Sequence, residues 1–173
     1  MLKHVPITIV SDDKPGLVEK IARCIKQHQG NWLESNLSKL SGKFAGVILI
    51  ELPHDQHEVL RAALVAIKSE GIYAYLHDAT HTPQIASESP SLAFHASGPD
   101  QKGIVQELTE LFSAMSINVQ SLRTECTSMP YSGNPLFEAH GVIEPPQKLD
   151  QDELQKKLHE IGDRLALDII LTE

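Results

Sequence analysis

The chain has 173 residues, 41% of them apolar and 22% charged, with a formal net charge of −8. That balance predicts a packed core and excludes a disordered chain. An acidic total without a run of Lys and Arg excludes the basic footprint that direct nucleic-acid binding needs.

The chain opens on "MLKHVPITIV", where His4 and Pro6 interrupt the apolar run that a leader peptide would need. "VPITIVSD" is rich in β-branched residues and reads as a strand. The turn "SDDKPGLV" (11–18) follows, with Asp12 or Asp13 placed to cap a helix and Pro15 near its first position. Leu17, Val18, Ile21, Ile25 and His28 then line one helical face. Gly30 is expected to end that helix by entering the left-handed region. "NWLESNLSKL" and "FAGVILIEL", joined at "SGK", form a predicted hairpin. The stretch "AGVILIEL" is the longest apolar run and falls far short of the ~20 residues of a membrane helix, so a cytoplasmic location is expected. A second helix carries Leu60, Ala63, Leu64 and Ile67 and ends at Gly71, and "IYAYLHDA" is the last strand of this set.

After "HTPQIASESP" (81–90), a polar linker with prolines, the order repeats. "SLAFHASG" is a strand, Ile104, Val105, Leu108, Leu111, Phe112 and Met115 form a helix stripe, and "NVQSLRTECTS" with "PLFEAHGVIE" forms a hairpin. Leu154, Leu158 and Ile161 line a fourth helix before "ALDIILTE". The repetition is positional: Asp13 and Asp100, Gly16 and Gly103, Val18 and Val105, and Asn31 and Asn118 are each 87 apart. Phe44 and Phe137 are 93 apart, so the second hairpin carries six extra residues around "MPYSGNP" (129–135), a candidate docking loop. Two copies of βαββαβ predict an α+β protein of two ferredoxin-like domains, 1–80 and 91–173, each an antiparallel sheet with its helices on one face.

The turn allows a second reading beside helix initiation. A helix N-terminus presents backbone amides that hold a carboxylate. A nearby Asp offers the charge for an ammonium group, and Asn31, opening the next strand, has both donors and acceptors. An amino acid needs such a pairing, and the same residue types recur as Asp100, Gly103, Ile104 and Asn118.

"SDDKPGLVEKIARCIKQHQGNW" followed by a hairpin resembles the ACT domain family: an Asp or Asn, a basic residue, Pro-Gly, an amphipathic helix, then a Gly-Asn pair. The resemblance covers nearly the whole chain as two modules without an attached enzyme. It implies that small effectors, commonly amino acids, bind near the strand–helix turn at module interfaces. The residues implied are Asp12, Asp13, Pro15, Gly16, Leu17 and Asn31, and in the second copy Asp100, Gly103, Ile104 and Asn118. For a free-standing tandem it further implies a non-enzymatic regulator without a cofactor. Glycine would be its signal and a LysR-type transcription activator its protein partner. A homodimer fits the same pattern. A regulatory subunit of a metabolic enzyme would use the same sensing chemistry. The second copy departs from the pattern, with Gln101-Lys102 in place of Lys14-Pro15 and Ile117 in place of Gly30.

The remaining residues with chemistry carry less. His54 and His57, and His77 and His81, have spacings that share a face, yet no Cys joins either pair, and surface histidines without a metal are the expectation. Cys24 and Cys126 have no CxxC spacing and read as semi-buried residues, and Trp32 reads as core.

Overall fold

The computed structural model describes residues 1–78, 91–129 and 133–172. The chain divides into two units, Met1–Ile85 and Ala86–Glu173, and the expected linker 81–90 lies outside the described residues. In the first unit β1 (Leu2–Asp12) leads into α1 (Leu17–Gln27), then β2 (Asn31–Leu40), β3 (Lys43–Pro53), α2 (His57–Ala66) and β4 (Ile72–Leu76). The second unit repeats this with β5 (Leu92–Pro99), α3 (Ile104–Ala114), β6 (Asn118–Ser128), β7 (Pro135–Glu144), α4 (Gln151–Leu165) and β8 (Asp168–Thr172). The sheets run β2-β3-β1-β4 and β6-β7-β5-β8, antiparallel throughout, as the ferredoxin-like reading requires.

Period-two patterning decides the faces. Val5, Ile7 and Ile9 of β1 and Ile48, Ile50 and Leu52 of β3 are buried with Leu17, Ile21 and Ile25 of α1 and with Leu60 and Leu64 of α2. The opposite face of that sheet carries Val10, Val47, Tyr73 and Tyr75, all exposed. In the second unit Phe94 and Ala96 of β5 and Ala139 and Ile143 of β7 pack with Ile104, Leu108 and Phe112 of α3 and with Leu154 and Leu158 of α4. Val18 and Val105, placed on the core stripe by periodicity, are exposed instead; each sits beside a buried first residue, Leu17 or Ile104, which takes the core position. Among the described residues no helix is long and apolar enough to cross a membrane.

The β2–β3 turn is Ser41-Gly42, both at positive φ (48° and 75°), the two-residue geometry that matches strand twist. The end of α1 differs from expectation. The left-handed residue is Gln29 (φ 60°), one before Gly30, and Ser116 (φ 55°) holds the same place after α3. Gly30 serves close packing: a Cβ there would stand 2.7 Å from Ile25 Cγ2. Its counterpart in the second unit, Ile117, is a buried core residue.

Candidate functional site

The strand–helix turns are built from two glycines. Gly16 (φ 84°) and Gly103 (φ 98°) are the residues that precede α1 and α3, both left-handed, and no side chain caps either helix. The expectation that Asp12 or Asp13 caps α1 is therefore corrected. The left-handed glycine sets the entry angle, and Pro15 lies two residues ahead of the first helical position. A Cβ at Gly16 or Gly103 would meet nothing within 4 Å, so both glycines border open space.

The aspartates are held by lysines of the neighbouring hairpin. Asp12 ends β1 opposite Lys43 and is ion-paired with it. Asp13 is ion-paired with Lys39 of β2, while its amide donates to the Gly42 carbonyl at 2.9 Å. Lys14 is exposed beside them. The turn therefore presents two carboxylates and three ammonium groups around uncapped helix amides, and Leu17 anchors it in the core.

The Lys43 hydrogen bond and charge hold the Asp12 carboxyl below its usual range, and Asp12 raises Lys43 in return. A lowered carboxyl contributes stability above its unfolded value of about 3.9 and loses it as pH falls through the lowered value. A raised ammonium contributes below about 10.4 and loses it as pH rises further. The pair thus acts across the neutral range, weakly at this exposure and less so in salt. An NMR titration of the carboxyls should place Asp12 below the exposed average, and Lys43→Met should return it there.

Two depressions flank the turn. One, of about 90 Å³, is lined by Ser11, Asp12, Lys14, Pro15 and Leu17 on one side and by the Lys20–Glu70 ion pair on the other. The other is a more open recess formed by Asp13, Lys14, Gly16, Val18 and Phe44.

The second turn keeps the backbone and changes the charge: Asp100 and the exposed Lys102 stand there, but the positions of the three lysines of the first turn hold other residues. Asp100 donates its amide to the Pro135 carbonyl at 3.1 Å, as Asp13 does to Gly42. The position of Lys39 is taken by Cys126, that of Lys43 by Leu136, and that of Lys14 by Gln101, whose side-chain amide is bonded to the Leu165 carbonyl. Local desolvation and then Asp100 push the Cys126 thiol up, away from the reactive thiolate. Local spacing does not mark Lys39 and Lys43 as partners of the turn, although the offsets of 87 and 93 locate their replacements Cys126 and Leu136.

The asparagines lie elsewhere. Asn31 pairs with Glu51, which faces His4, at the opposite end of the sheet from the Asp12–Lys43 pair. Eight residues of β1 separate those rows, roughly 27 Å at ~3.4 Å per residue. Asn118, opposite Glu144, is displaced in the same way from Asp100. Within one module the turn and the asparagine do not share a ligand of amino-acid size.

The histidine pairs are engaged otherwise. His57 Nε2 donates to the His77 carbonyl at 3.1 Å, and His77 Nε2 stands 3.1 Å from Thr8 Oγ1. His54 is exposed and His81 lies outside the described residues. Cys24 is buried, with its thiol pushed up by that burial, and Trp32 packs at the margin of the core. Of the candidate loop 129–135, residues 130–132 lie outside the described residues; Met129 and Asn134 close its base, with a 2.7 Å hydrogen bond from the Met129 amide to the Asn134 carbonyl.

Residues 3–71 match the ACT domain family model. An unknown protein from Galdieria sulphuraria has the same fold at a TM-score of 0.83 and 23% identity, over 100% of this chain and 99% of that one. A candidate glycine cleavage system transcriptional repressor superposes at a TM-score of 0.73 and 17% identity, over 99% and 97% of the two chains. Comparison with curated protein sequences finds no match.

Proposed function

We propose that this chain, a tandem of two ACT-like modules, is a non-enzymatic regulator that senses a small amino acid at its first strand–helix turn. It passes occupancy to a protein partner. The observation that carries the reading is the first turn itself: a left-handed Gly16 with no side-chain cap, open space at its Cβ position, and lysines 14, 39 and 43 around it. Helix amides and ammonium groups favour a carboxylate, and Asp12 and Asp13 favour the amino end of the same molecule. The second turn has the backbone without counterparts of lysines 14, 39 and 43, its Lys102 standing at the place of Pro15, and serves as scaffold in this reading.

The fold likeness to the candidate glycine cleavage repressor supports glycine as the effector. An acidic chain without a basic patch acts on transcription through a protein, and a LysR-type activator is the proposed partner. Control requires glycine to favour one of two states, since equal affinity shifts nothing. Affinity capture on the full chain from a native cytosolic extract tests this. The expected result is recovery of a transcription factor in an amount that glycine changes. Recovery of a metabolic enzyme alone would overturn the transcriptional reading and leave the sensor reading standing.

A further inference from the structure

The face of the second sheet turned away from its helices carries a second constellation, apart from the turn. His95 of β5 and His140 of β7 are direct cross-strand partners. Their rings stack at 4.3 Å between centroids and 20° between planes. Glu138, two residues before His140 on the same strand, projects to the same face. His95 Nε2 lies 3.9 Å from Glu138 Oε1, beyond hydrogen-bond reach, and is buried without a hydrogen-bond partner. One ligand atom from each of the three residues lies within 4.8 Å of the others.

The geometry points to a site for a late first-row divalent cation, of the zinc or nickel class, held by His95, His140 and Glu138. Two imidazoles and one carboxylate are borderline donors, which favour these ions over magnesium or calcium. Three protein ligands leave at least one position open to water. Metal–ligand bonds of about 2.0–2.2 Å place ligand atoms roughly 3.3 Å apart around a tetrahedral ion. Closing to that spacing requires the three side chains to rotate, the two imidazoles out of their stacked arrangement. The neighbours on this face are Arg123 opposite His140, Glu125 and Ser97 opposite Glu138, and Ile170 opposite His95. Asp168 lies opposite Ser97 on the same face, so the surroundings add one cation, Arg123, and two carboxylates, Glu125 and Asp168.

The repeat supplies an internal control. By the offsets of 87 and 93, the first module has Thr8, Ala45 and Val47 at these places and offers no ligand set. The site belongs to one copy only.

The test uses full-length chain without a histidine tag, stripped with chelator and titrated with Zn²⁺ by calorimetry, and with Co²⁺ by visible absorption. The expected result is one ion per chain. His95→Ala and His140→Ala should each weaken binding at least as much as loss of an outer-shell partner, roughly 10- to 100-fold. His54→Ala should leave binding unchanged. Glu138→Gln, nearly isosteric, should weaken Zn²⁺ while keeping the wild-type circular dichroism, which guards against a misfolded histidine variant. Histidine ring resonances should move first at residues 95 and 140. Two equal sites per chain, no saturable binding, or binding retained in His140→Ala would each overturn the assignment.

Discussion

Phe112→Ala should lower the stability of the second unit by about 3–5 kcal/mol, the range for removing a fully buried aromatic ring. Phe112 is 1% exposed and meets Phe94 in a tilted contact, 5.2 Å between centroids. It joins α3 to β5 at the centre of a cluster that shares no residue with the core of the first unit. A small apolar cavity of about 10 Å³ already adjoins it, lined by Phe94, Val105, Leu108 and Ala139 among others, so truncation enlarges an existing gap. Loss of the tilted aromatic pair adds about 0.5–1.5 kcal/mol to the effect of area alone. The midpoint of urea unfolding measures it. A loss below about 1 kcal/mol would mean that the second unit is not organised around α3 as described.

The second large effect is ligand-linked. At a hundredfold its dissociation constant, an amino acid bound to the native state adds about 2.7 kcal/mol, read as a rise in melting temperature. Lys14→Gln, which writes the second copy's residue into the first, should remove most of that gain, because it takes away the exposed cation beside the uncapped helix. The unliganded stability should stay within about 0.5 kcal/mol of wild type, as Lys14 is a surface residue. Gly16→Ala should lose the ligand response as well, with about 1–2 kcal/mol of intrinsic cost for a left-handed residue with a Cβ. Gly103→Ala carries a similar intrinsic cost and should keep the response, since its turn has Gln101, Cys126 and Leu136 at the places of Lys14, Lys39 and Lys43. Asn31→Ala examines the other end of the module independently.

The fold was legible because two signals agreed. Periodicity switched from two to 3.6 and back in each half, and the 87-residue offset tied the halves together. Sidedness failed at Val18 and Val105, where two adjacent apolar residues compete for one core position, and at Cys126, which is exposed on the edge strand β6 rather than semi-buried. The site was legible in part. Gly16 and Gly103 were marked, but a cap was assigned to aspartates that the structure pairs with lysines from another strand. Such partners are fixed by register, which local spacing does not encode. The same limit explains the asparagines: equal distance along the chain in both copies placed them at equal positions, at the far end of the sheet from the turn. It also explains the histidines. Local spacing singles out residues 54 and 57, near a helix start, while His95 and His140 meet only across strands.

The central claim is that the first strand–helix turn holds a small amino acid. Calorimetric titration of the full chain with glycine and a panel of other amino acids tests it most directly. The expected result is saturable binding of at least one of them, glycine foremost, at one site per chain, abolished by Gly16→Ala and unchanged by Gly103→Ala. A flat response across the panel, or binding that survives Gly16→Ala and Lys14→Gln alike, would contradict it.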